Sequence, residues 1–229
     1  MSNNIAATKT YKELRNLEVR EANGYFQKFS EFLTKTEASL SFTGYGTGID
    51  KYKMYKMIEL ADAIDHLIKL LTENQVNGKK IMVIGNGGSA AIAAHTLEDY
   101  ANIGGFKTSD FMSPALLTCM ANDYGYENVF AKPIEMFAEA GDMLFAISSS
   151  GKSPNIVKAA EVAMARGCIV VTVSGVDAQN LLRKMGKLNF YTPSTHYGFV
   201  ELAHQTLIHC ILDLFVRNKI YEEERQLLG

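Results

Sequence analysis

The segment IMVIGNGGSAAIAAH, residues 81–95, decides the fold class of this 229-residue chain. An apolar run ends at Ile84, a glycine-rich turn spans 85–89, and an alanine-rich pattern of helical character continues to Asn102. A strand, a tight turn and a helix in this order are typical of a parallel α/β unit. The turn has three interpretations: a phosphate cradle, a turn that is glycine-rich for conformational reasons alone, or the first half of a metal site that includes His95.

The same alternation continues towards the end of the chain. Short, nearly continuous apolar strands between helical patterns are typical of a parallel sheet that is covered on both faces. We therefore predict a doubly wound α/β domain with about five parallel strands. The predicted strands are Ile81–Ile84, Ala115–Cys119, Met143–Ile147, Ile169–Val173 and Leu188–Tyr191. The predicted helices are Ser89–Asn102, Val129–Ala140, Pro154–Arg166, Ala178–Met185 and Phe199–Val216.

The first part of the chain has a helical rhythm. Leucine and aromatic residues recur at helical spacing over residues 9–40, a glycine-bearing break covers 43–48, and a second helix is predicted over Lys51–Asn77. We predict an N-terminal helical extension over residues 1–50 and an α/β domain over residues 51–229. The extension is interpreted as material for packing or oligomer formation, not for chemistry.

Composition is that of an ordinary globular protein. Hydrophobic residues make up 47% of the chain, the formal net charge is −2 and the pI is about 6.2, so no nucleic-acid partner is expected. The first residues contain no apolar signal region, and no apolar run reaches the ~20 residues that span a bilayer; we expect a cytoplasmic protein with no membrane partner. Cys119, Cys168 and Cys210 lie far apart and are predicted to be buried thiols in a reducing compartment.

Two strand-to-helix turns have the chemistry of an anion site. The first is Gly85–Ser89, and the second is the hydroxyl-rich run Ser148–Ser153, ahead of a helix that opens at Pro154. Glycine allows close backbone approach, and the first N–H groups of a helix present partial positive charge. Ligands of open parallel sheets bind at the carboxyl ends of the strands. Together the two turns predict a site for a phosphorylated ligand.

Each turn alone is weaker evidence. The first matches neither the dinucleotide-binding nor the P-loop glycine pattern. The second is also explained by simple helix N-capping through Ser153, with solvated serines beside it. No acidic residue after the first strand is placed to hold an adenosine ribose, which favours a small phosphorylated molecule over a dinucleotide.

Two helices carry candidate metal ligands. His95 and Asp99 are four residues apart and project from one face, and Glu201 and His209 are eight residues, about two turns, apart on the last helix. Two imidazoles and two carboxylates suit zinc. The alternative for His95 is a packed, hydrogen-bonded residue of the core.

The sequence leaves the roles of two further histidines undecided. His204 lies near the helical face of Glu201 and is interpreted either as a substitute ligand or as a solvated interface residue. His196 lies in the loop 194–198, from which a side chain could reach a neighbouring site.

Gly85–Ser89, Asn122-Asp123 and Ser148–Ser153, in this order, resemble the sugar isomerase (SIS) domain family. The resemblance runs from about Lys51 to Val216. It implies a flavodoxin-like sheet, a phosphate on the serine-rich turn, and a homo-oligomer, commonly a tetramer, with sites at subunit interfaces. The Asn-Asp pair is also good turn chemistry. The implied substrate-binding residues are Asn86, Gly87, Gly88, Ser89, Asp99, Asn122, Asp123, Ser148, Ser149, Ser150, Ser153 and Glu201.

The resemblance also implies one zinc ion per subunit, with ligands at His95, Asp99, Glu201 and His209. Asp99 is implied as the carboxylate that moves a proton between C1 and C2 of an open-chain sugar, and His209 as the acid and base at the oxygens.

Two of these positions depart from the family, which usually has glutamate at position 99 and glutamine at position 201. The shorter Asp99 displaces the catalytic carboxylate by more than about an ångström, and such a displacement can cost about a hundredfold in rate. The adjacent Glu98 points about 100° away around the helix. Glu201 adds a negative charge that strengthens metal binding and changes the substrate contact.

Within the family, the chain is most similar to the isomerases of heptose biosynthesis. The resemblance therefore predicts an aldose–ketose isomerase that converts sedoheptulose 7-phosphate to D-glycero-D-manno-heptose 7-phosphate, or acts on a close heptose phosphate, through a cis-enediolate. One alternative is a non-catalytic SIS-domain protein that binds sugar phosphates or acts as an adaptor in replication initiation. Another is an isomerase of a different sugar phosphate.

Overall fold

The computed structural model describes residues 22–45 and 51–228, which form a seven-stranded sheet with helices on both faces. The strands are β1 (Glu37–Tyr45), β2 (Lys51–Ile58), β3 (Lys80–Ile84), β4 (Lys107–Ser109), β5 (Met143–Ser148), β6 (Ile169–Gly175) and β7 (Leu188–Thr192). The helices are α1 (Ala22–Thr34), α2 (Leu60–Val76), α3 (Gly88–Asn102), α4 (Pro114–Tyr124), α5 (Ala131–Phe137), α6 (Pro154–Ala165) and α7 (Tyr197–Leu228).

Alternate residues of the central strands enter two separate hydrophobic cores. Ile81 and Val83 of β3 pack with α2, α3 and α7 on one face, whereas Met82 and Ile84 pack with α5 and α6 on the other. A strand that is buried on both faces needs apolar residues at every position. The continuous apolar runs therefore predicted a covered parallel sheet, and this prediction is confirmed.

The strand order is β2-β1-β7-β6-β5-β3-β4, and β7, β6, β5, β3 and β4 pair in parallel. The chain goes from β3 to β4 on one side and then returns to β5 on the other side of β3. The topological switch point therefore lies between β3 and β5, and ligands of such sheets bind there. Both predicted anion turns, Gly85–Ser89 and Ser148–Ser153, follow these two neighbouring strands.

One of the five predicted parallel strands is wrong. The run Ala115–Cys119 lies inside α4, which begins with Pro114 after Ser113, whose hydroxyl accepts a hydrogen bond from the Leu116 N–H. A Ser-Pro start is a strong helix signal. The remaining parallel strand is instead β4, an edge strand of three residues that is too short to leave an apolar pattern.

The prediction of a helix over Lys51–Asn77 is wrong for its first turns. Residues 51–58 form β2, which pairs antiparallel with β1, and only Leu60–Val76 are helical. β1 in turn pairs antiparallel with β7, so the hairpin extends the sheet. Pairing on a sheet edge overrides the local helical pattern here.

The helical prediction for the N-terminal extension is confirmed for α1, but it is wrong for its end, since residues 37–45 form β1. Residues 9–21 and most of the predicted break, 46–48, lie outside the described residues. The predicted domain boundary at residue 50 falls between the two strands of the hairpin, and the division into two domains stays a prediction.

The other predicted helices differ mainly in length. The predicted helix over 178–185 is reduced to a 3-10 turn at Leu182–Lys184, that over 129–140 shortens to α5, and that over 199–216 lengthens to α7. The prediction of buried thiols is wrong for Cys119 and Cys210, which are exposed. Cys168 is half-buried, and burial raises the pKa of its thiol to about 11.

By length and composition alone, the stretch Tyr197–Tyr221 of α7 passes the test for a membrane-crossing helix. Half of the most apolar part of this stretch is buried inside the fold, so the stretch is weak evidence for a membrane-spanning helix.

The N-terminal helix packs against the start of α7. The rings of Tyr25 and Phe32 lie 4.8 Å and 5.4 Å from that of Phe199, which is fully buried. Aromatic pairs at these distances contribute packing energy beyond the area they bury. The extension therefore fixes the helix start that carries Tyr197 and Glu201.

Candidate active site

The first turn brings α7 into close contact with the start of α3. A Cβ on Gly85 would lie 2.3 Å from the carbonyl oxygen of Ser89, and one on Gly88 would lie 2.6 Å from Oε1 of Glu201. Gly87 has a φ of 54°, which a residue with a side chain rarely adopts. The glycines are thus required both by the turn and by the Glu201 carboxylate, which lies against the helix N-terminus.

The second turn is held by its own hydroxyl groups. The Gly151 N–H donates to the carbonyl oxygen of Ser148 at 3.0 Å and to its Oγ at 3.1 Å. The Ser148 hydroxyl donates to Oγ of Ser153 at 3.4 Å. Among the described residues, the buried hydroxyl of Ser149 has no hydrogen-bond partner. Such a group is costly to bury unless a ligand or water satisfies it.

The two turns meet in a cavity of about 200 Å³. None of the described residues that line it is a lysine or an arginine, so an anion would be bound by hydroxyls and by the N–H groups at the starts of α3 and α6. The structure thereby brings together most of the predicted binding residues and adds Tyr197. The lining residues are Asn86, Ser89, Ser148, Ser149, Ser150, Ser153, Tyr197 and Glu201.

Asn122 and Asp123 do not line this cavity. Both are exposed in the last turns of α4, where the Asn122 amide donates to Oδ1 of Asp123 at 2.8 Å. Their role in substrate binding stays a prediction.

His95, Asp99 and His209 converge at one point between α3 and α7. The Nε2 atoms of the two histidines are 2.9 Å apart, and they lie 3.3 Å and 3.2 Å from Oδ2 of Asp99. Asp99 is buried, whereas the two imidazoles are more exposed. The helical spacing predicted that His95 and Asp99 would share a face; the tertiary fold adds His209.

These three residues fit a divalent transition metal. Their ligand atoms all lie within 4.8 Å of one another. Ligands at about 2.1 Å from a tetrahedral zinc ion are about 3.4 Å apart, close to the spacing seen here. Three protein ligands also leave a coordination position for water or substrate, as catalytic zinc sites do.

Glu201 is not part of this three-residue group. It lines the cavity beside Gly88, and burial raises the pKa of its carboxyl group. Its predicted role as the fourth metal ligand stays a prediction. Glu98, which directly precedes Asp99 on α3, is exposed, and this agrees with its expected direction around the helix.

Two further histidines, His204 and His196, serve the fold. His204 is fully buried, its Nε2 lies 3.1 Å from the carbonyl oxygen of Ser174, and burial lowers its pKa to about 4. The interpretation as a solvated residue is therefore wrong for His204. His196 is also buried, and its Nδ1 accepts a hydrogen bond from the Phe199 N–H at the start of α7. It acts there as a helix cap.

Sequence reasoning missed the residues that support the cavity. Tyr197 lines it from the first residue of α7, and Asn155 pairs its amide with that of Asn86 from the first turn of α6. Asn155 directly follows the serine-rich turn and Pro154, so its position was a usable signal.

The fold agrees with the comparisons to known proteins. The model of the SIS domain matches residues 51–175, and the chain belongs to the SIS domain family. It is 35% identical over 167 residues to the phosphoheptose isomerase of Citrifermentans bemidjiense, a match that covers 69% of this chain and 85% of that protein.

Solved structures give the same picture. The phosphoheptose isomerase from Neisseria gonorrhoeae superposes with a TM-score of 0.63 at 29% identity, covering 68% of this chain and 86% of that one. The phosphoheptose isomerase from Francisella tularensis shares the fold, with a TM-score of 0.69 at 23% identity over 86% of this chain and 97% of that one.

Proposed function

We propose that this protein is an aldose–ketose isomerase of the phosphoheptose isomerase type, which converts sedoheptulose 7-phosphate to D-glycero-D-manno-heptose 7-phosphate. The observation that carries the proposal is the convergence of His95, Asp99 and His209 on the same helices, α3 and α7, that border the hydroxyl-lined cavity. An isomerase that acts on a sugar phosphate needs a phosphate site close to an acid–base site. Here α3 and α7 carry residues of both candidate sites. The identity to proteins named phosphoheptose isomerase supports this substrate.

The cavity would hold the phosphate end of the substrate. Hydroxyl donors and helix N-termini bind phosphate oxygens without a basic side chain. The buried Ser149 hydroxyl supports this assignment, because a phosphate oxygen would supply the partner that it lacks among the described residues.

The reaction needs one base that serves two neighbouring carbon atoms. The Asp99 carboxylate would take a proton from C1 of the ketose, and the electron pair left at C1 would form the C1–C2 double bond of a cis-enediolate. The same group would return the proton to C2, while the carbonyl of the aldose forms at C1. The His209 imidazole would give a proton to the oxygen on C2 and take one from the oxygen on C1.

His95, Asp99 and His209 would hold a metal ion, and we propose one zinc ion per subunit, with Glu201 as a further ligand. When bound, such an ion polarises the carbonyl and hydroxyl oxygens and so favours the loss of the proton from carbon.

The residue at position 99 decides how the site works. Aspartate is one methylene shorter than the usual glutamate of the family, but the distances of 3.2 Å and 3.3 Å to the two imidazoles show that its carboxylate reaches the group. Retention of all three converging groups favours an enzyme over a non-catalytic binder.

We also propose a homotetramer in the cytoplasm, with sites at subunit interfaces. The half-exposed His95 side chain and the remote Asn122 and Asp123 support this arrangement, since a second subunit would have to enclose the former and could bring the latter to a site.

Turnover measured with and without metal tests the proposal. Protein stripped by a chelator should not convert sedoheptulose 7-phosphate, and one equivalent of Zn²⁺ should restore conversion. No turnover of five-, six- or seven-carbon ketose phosphates by the zinc-loaded protein would overturn the proposal. Sugar-phosphate binding without turnover or bound metal would support the non-catalytic alternative.

A further inference from the structure

Asn86 enters the cavity with an amide whose orientation is fixed from behind. Its Oδ1 accepts hydrogen bonds from the Asn155 amide at 2.9 Å and from the Tyr126 hydroxyl at 3.3 Å. Its Nδ2 donates one hydrogen bond to Oδ1 of Asn155 at 2.9 Å. Both acceptor sites and one of two N–H groups are therefore used. Among the contacts within the described part of the chain, only the second N–H of Asn86 remains for the cavity.

The orientation is set by the protein backbone. Oδ1 of Asn155 also lies 3.1 Å from the N–H of Ile156, which can only donate. This contact distinguishes the oxygen of Asn155 from its nitrogen, and the reciprocal pair then distinguishes the two ends of the Asn86 amide. Asn155 is 2% exposed and lies in the first turn of α6, directly after the serine-rich turn.

We propose that Asn155 is a positioning residue that makes Asn86 a hydrogen-bond donor to the bound sugar phosphate. A reversed amide would present its oxygen to the ligand and repel a phosphate or carbonyl oxygen. Asn155 does not line the cavity, so it acts through Asn86. The inference rests on the proposed function only in that it takes a sugar phosphate as the ligand.

A double-mutant cycle on ligand binding tests this role. The variants Asn86→Ala, Asn155→Ala and the double variant are titrated with sedoheptulose 7-phosphate and with inorganic phosphate by calorimetry, and KM and kcat are measured where turnover exists. Asn155→Ala should weaken sugar-phosphate binding about tenfold, mostly in KM, and should add almost nothing once Asn86 is alanine. Equal losses in both backgrounds, or unchanged binding by a folded Asn155→Ala protein, would overturn the proposal.

Two further variants keep the test decisive. Asn155→Asp keeps the acceptor for Ile156 but replaces the donor to Asn86 and adds a negative charge. It should therefore weaken binding of the anion in both backgrounds, and the loss should be larger when Asn86 is present. Tyr126→Phe changes a side chain that is 61% exposed and so does not endanger folding. It removes the second donor and should weaken binding about twofold to threefold in the wild-type background alone; an equal loss in the Asn86→Ala background would contradict the proposal.

Failure of this inference is distinct from failure of the proposed function. Wild-type protein that binds the ketose phosphate but does not convert it would refute the isomerase, and the binding cycle would still measure the coupling between Asn155 and Asn86.

Discussion

His204 and His209 lie five residues apart on one helix, and the fold gives them opposite environments. His204 is fully buried beside the carbonyl oxygen of Ser174, and its pKa is lowered to about 4. His209 lies at the surface, 3.2 Å from Oδ2 of Asp99 and 2.9 Å from Nε2 of His95. One face of α7 therefore packs on the sheet, whereas the other carries the histidine that we propose for metal binding and proton transfer.

The largest effect is expected at Asp99. Asp99→Asn keeps the size of the side chain but removes the base, so turnover should fall about a thousandfold while the unfolding temperature stays nearly constant. The measurement is a discontinuous assay of ketose phosphate conversion with a thermal melt of the same protein. Asp99→Glu is the control and should retain turnover, because it restores the usual family residue. Full activity of Asp99→Asn would remove this carboxylate from the mechanism.

Substituting alanine for each histidine in turn tests whether His204 and His209 have different roles. His209→Ala should lower turnover about a hundredfold or more and weaken Zn²⁺ binding, with little loss of stability. His204→Ala leaves a cavity and removes the contact to the Ser174 carbonyl oxygen, so it should lower the free energy of unfolding by about 2–4 kcal/mol and leave Zn²⁺ binding intact. Denaturant titration and zinc titration of both variants provide the measurements; a reversed pattern would contradict the assignment of the two faces.

Burial of His204 should also make the stability of the protein depend on pH. The folded-state pKa is lowered to about 4 from 6.5, so the unfolded chain binds more protons between these values. Stability present above pH 6.5 is therefore lost as the pH falls through this window, by about 2 kcal/mol at pH 5. Urea unfolding at pH 7 and pH 5 measures the loss. The variant His204→Leu lacks this titrating group, so its loss of stability between pH 7 and pH 5 should be smaller by about 2 kcal/mol. An identical loss in both proteins would refute the prediction.

The smallest effect is expected for two serines of the second turn, of which Ser149 is assigned to ligand binding and Ser148 to the stability of the fold. Ser149→Ala should raise KM for the sugar phosphate about fivefold to tenfold and should not lower the stability of the ligand-free protein, because the hydroxyl has no partner among the described residues. Ser148→Ala should lower stability, since its Oγ accepts from the Gly151 N–H. Steady-state kinetics and melts test the pair. A destabilised Ser149→Ala protein with unchanged KM would place this hydroxyl with the fold.

Much of the α/β core was predictable because each signal was local. Four of the five predicted parallel strands, including those before Gly85 and Ser148, are continuous apolar runs, which a strand covered on both faces requires. The spacing of His95 and Asp99 likewise follows from helix geometry. One wrong prediction also has a local cause: the run Ala115–Cys119 has the apolar pattern of a strand, although Pro114 marks a helix start.

Non-local contacts decided the rest. Lys51–Ile58 reads as part of a helix, but it is a strand because β1 offers a pairing edge. The burial of His204 depends on how α7 packs on β6, which no pattern within α7 states. The pairing of Asn86 with Asn155 joins residues 69 positions apart and depends on the order of β3 and β5 in the sheet.

The sequence by itself determined the parallel α/β class, the two strand-to-helix turns and the face that His95 shares with Asp99, because these follow from periodicity and from the conformational rules of glycine, proline and helix termini. The tertiary structure decided which strands are neighbours and so where the two turns meet. It also brought His209, which the family resemblance had implied, to Asp99 and buried His204 against the sheet. The physical reason is that burial and convergence are properties of packed elements, and a position along the chain specifies neither.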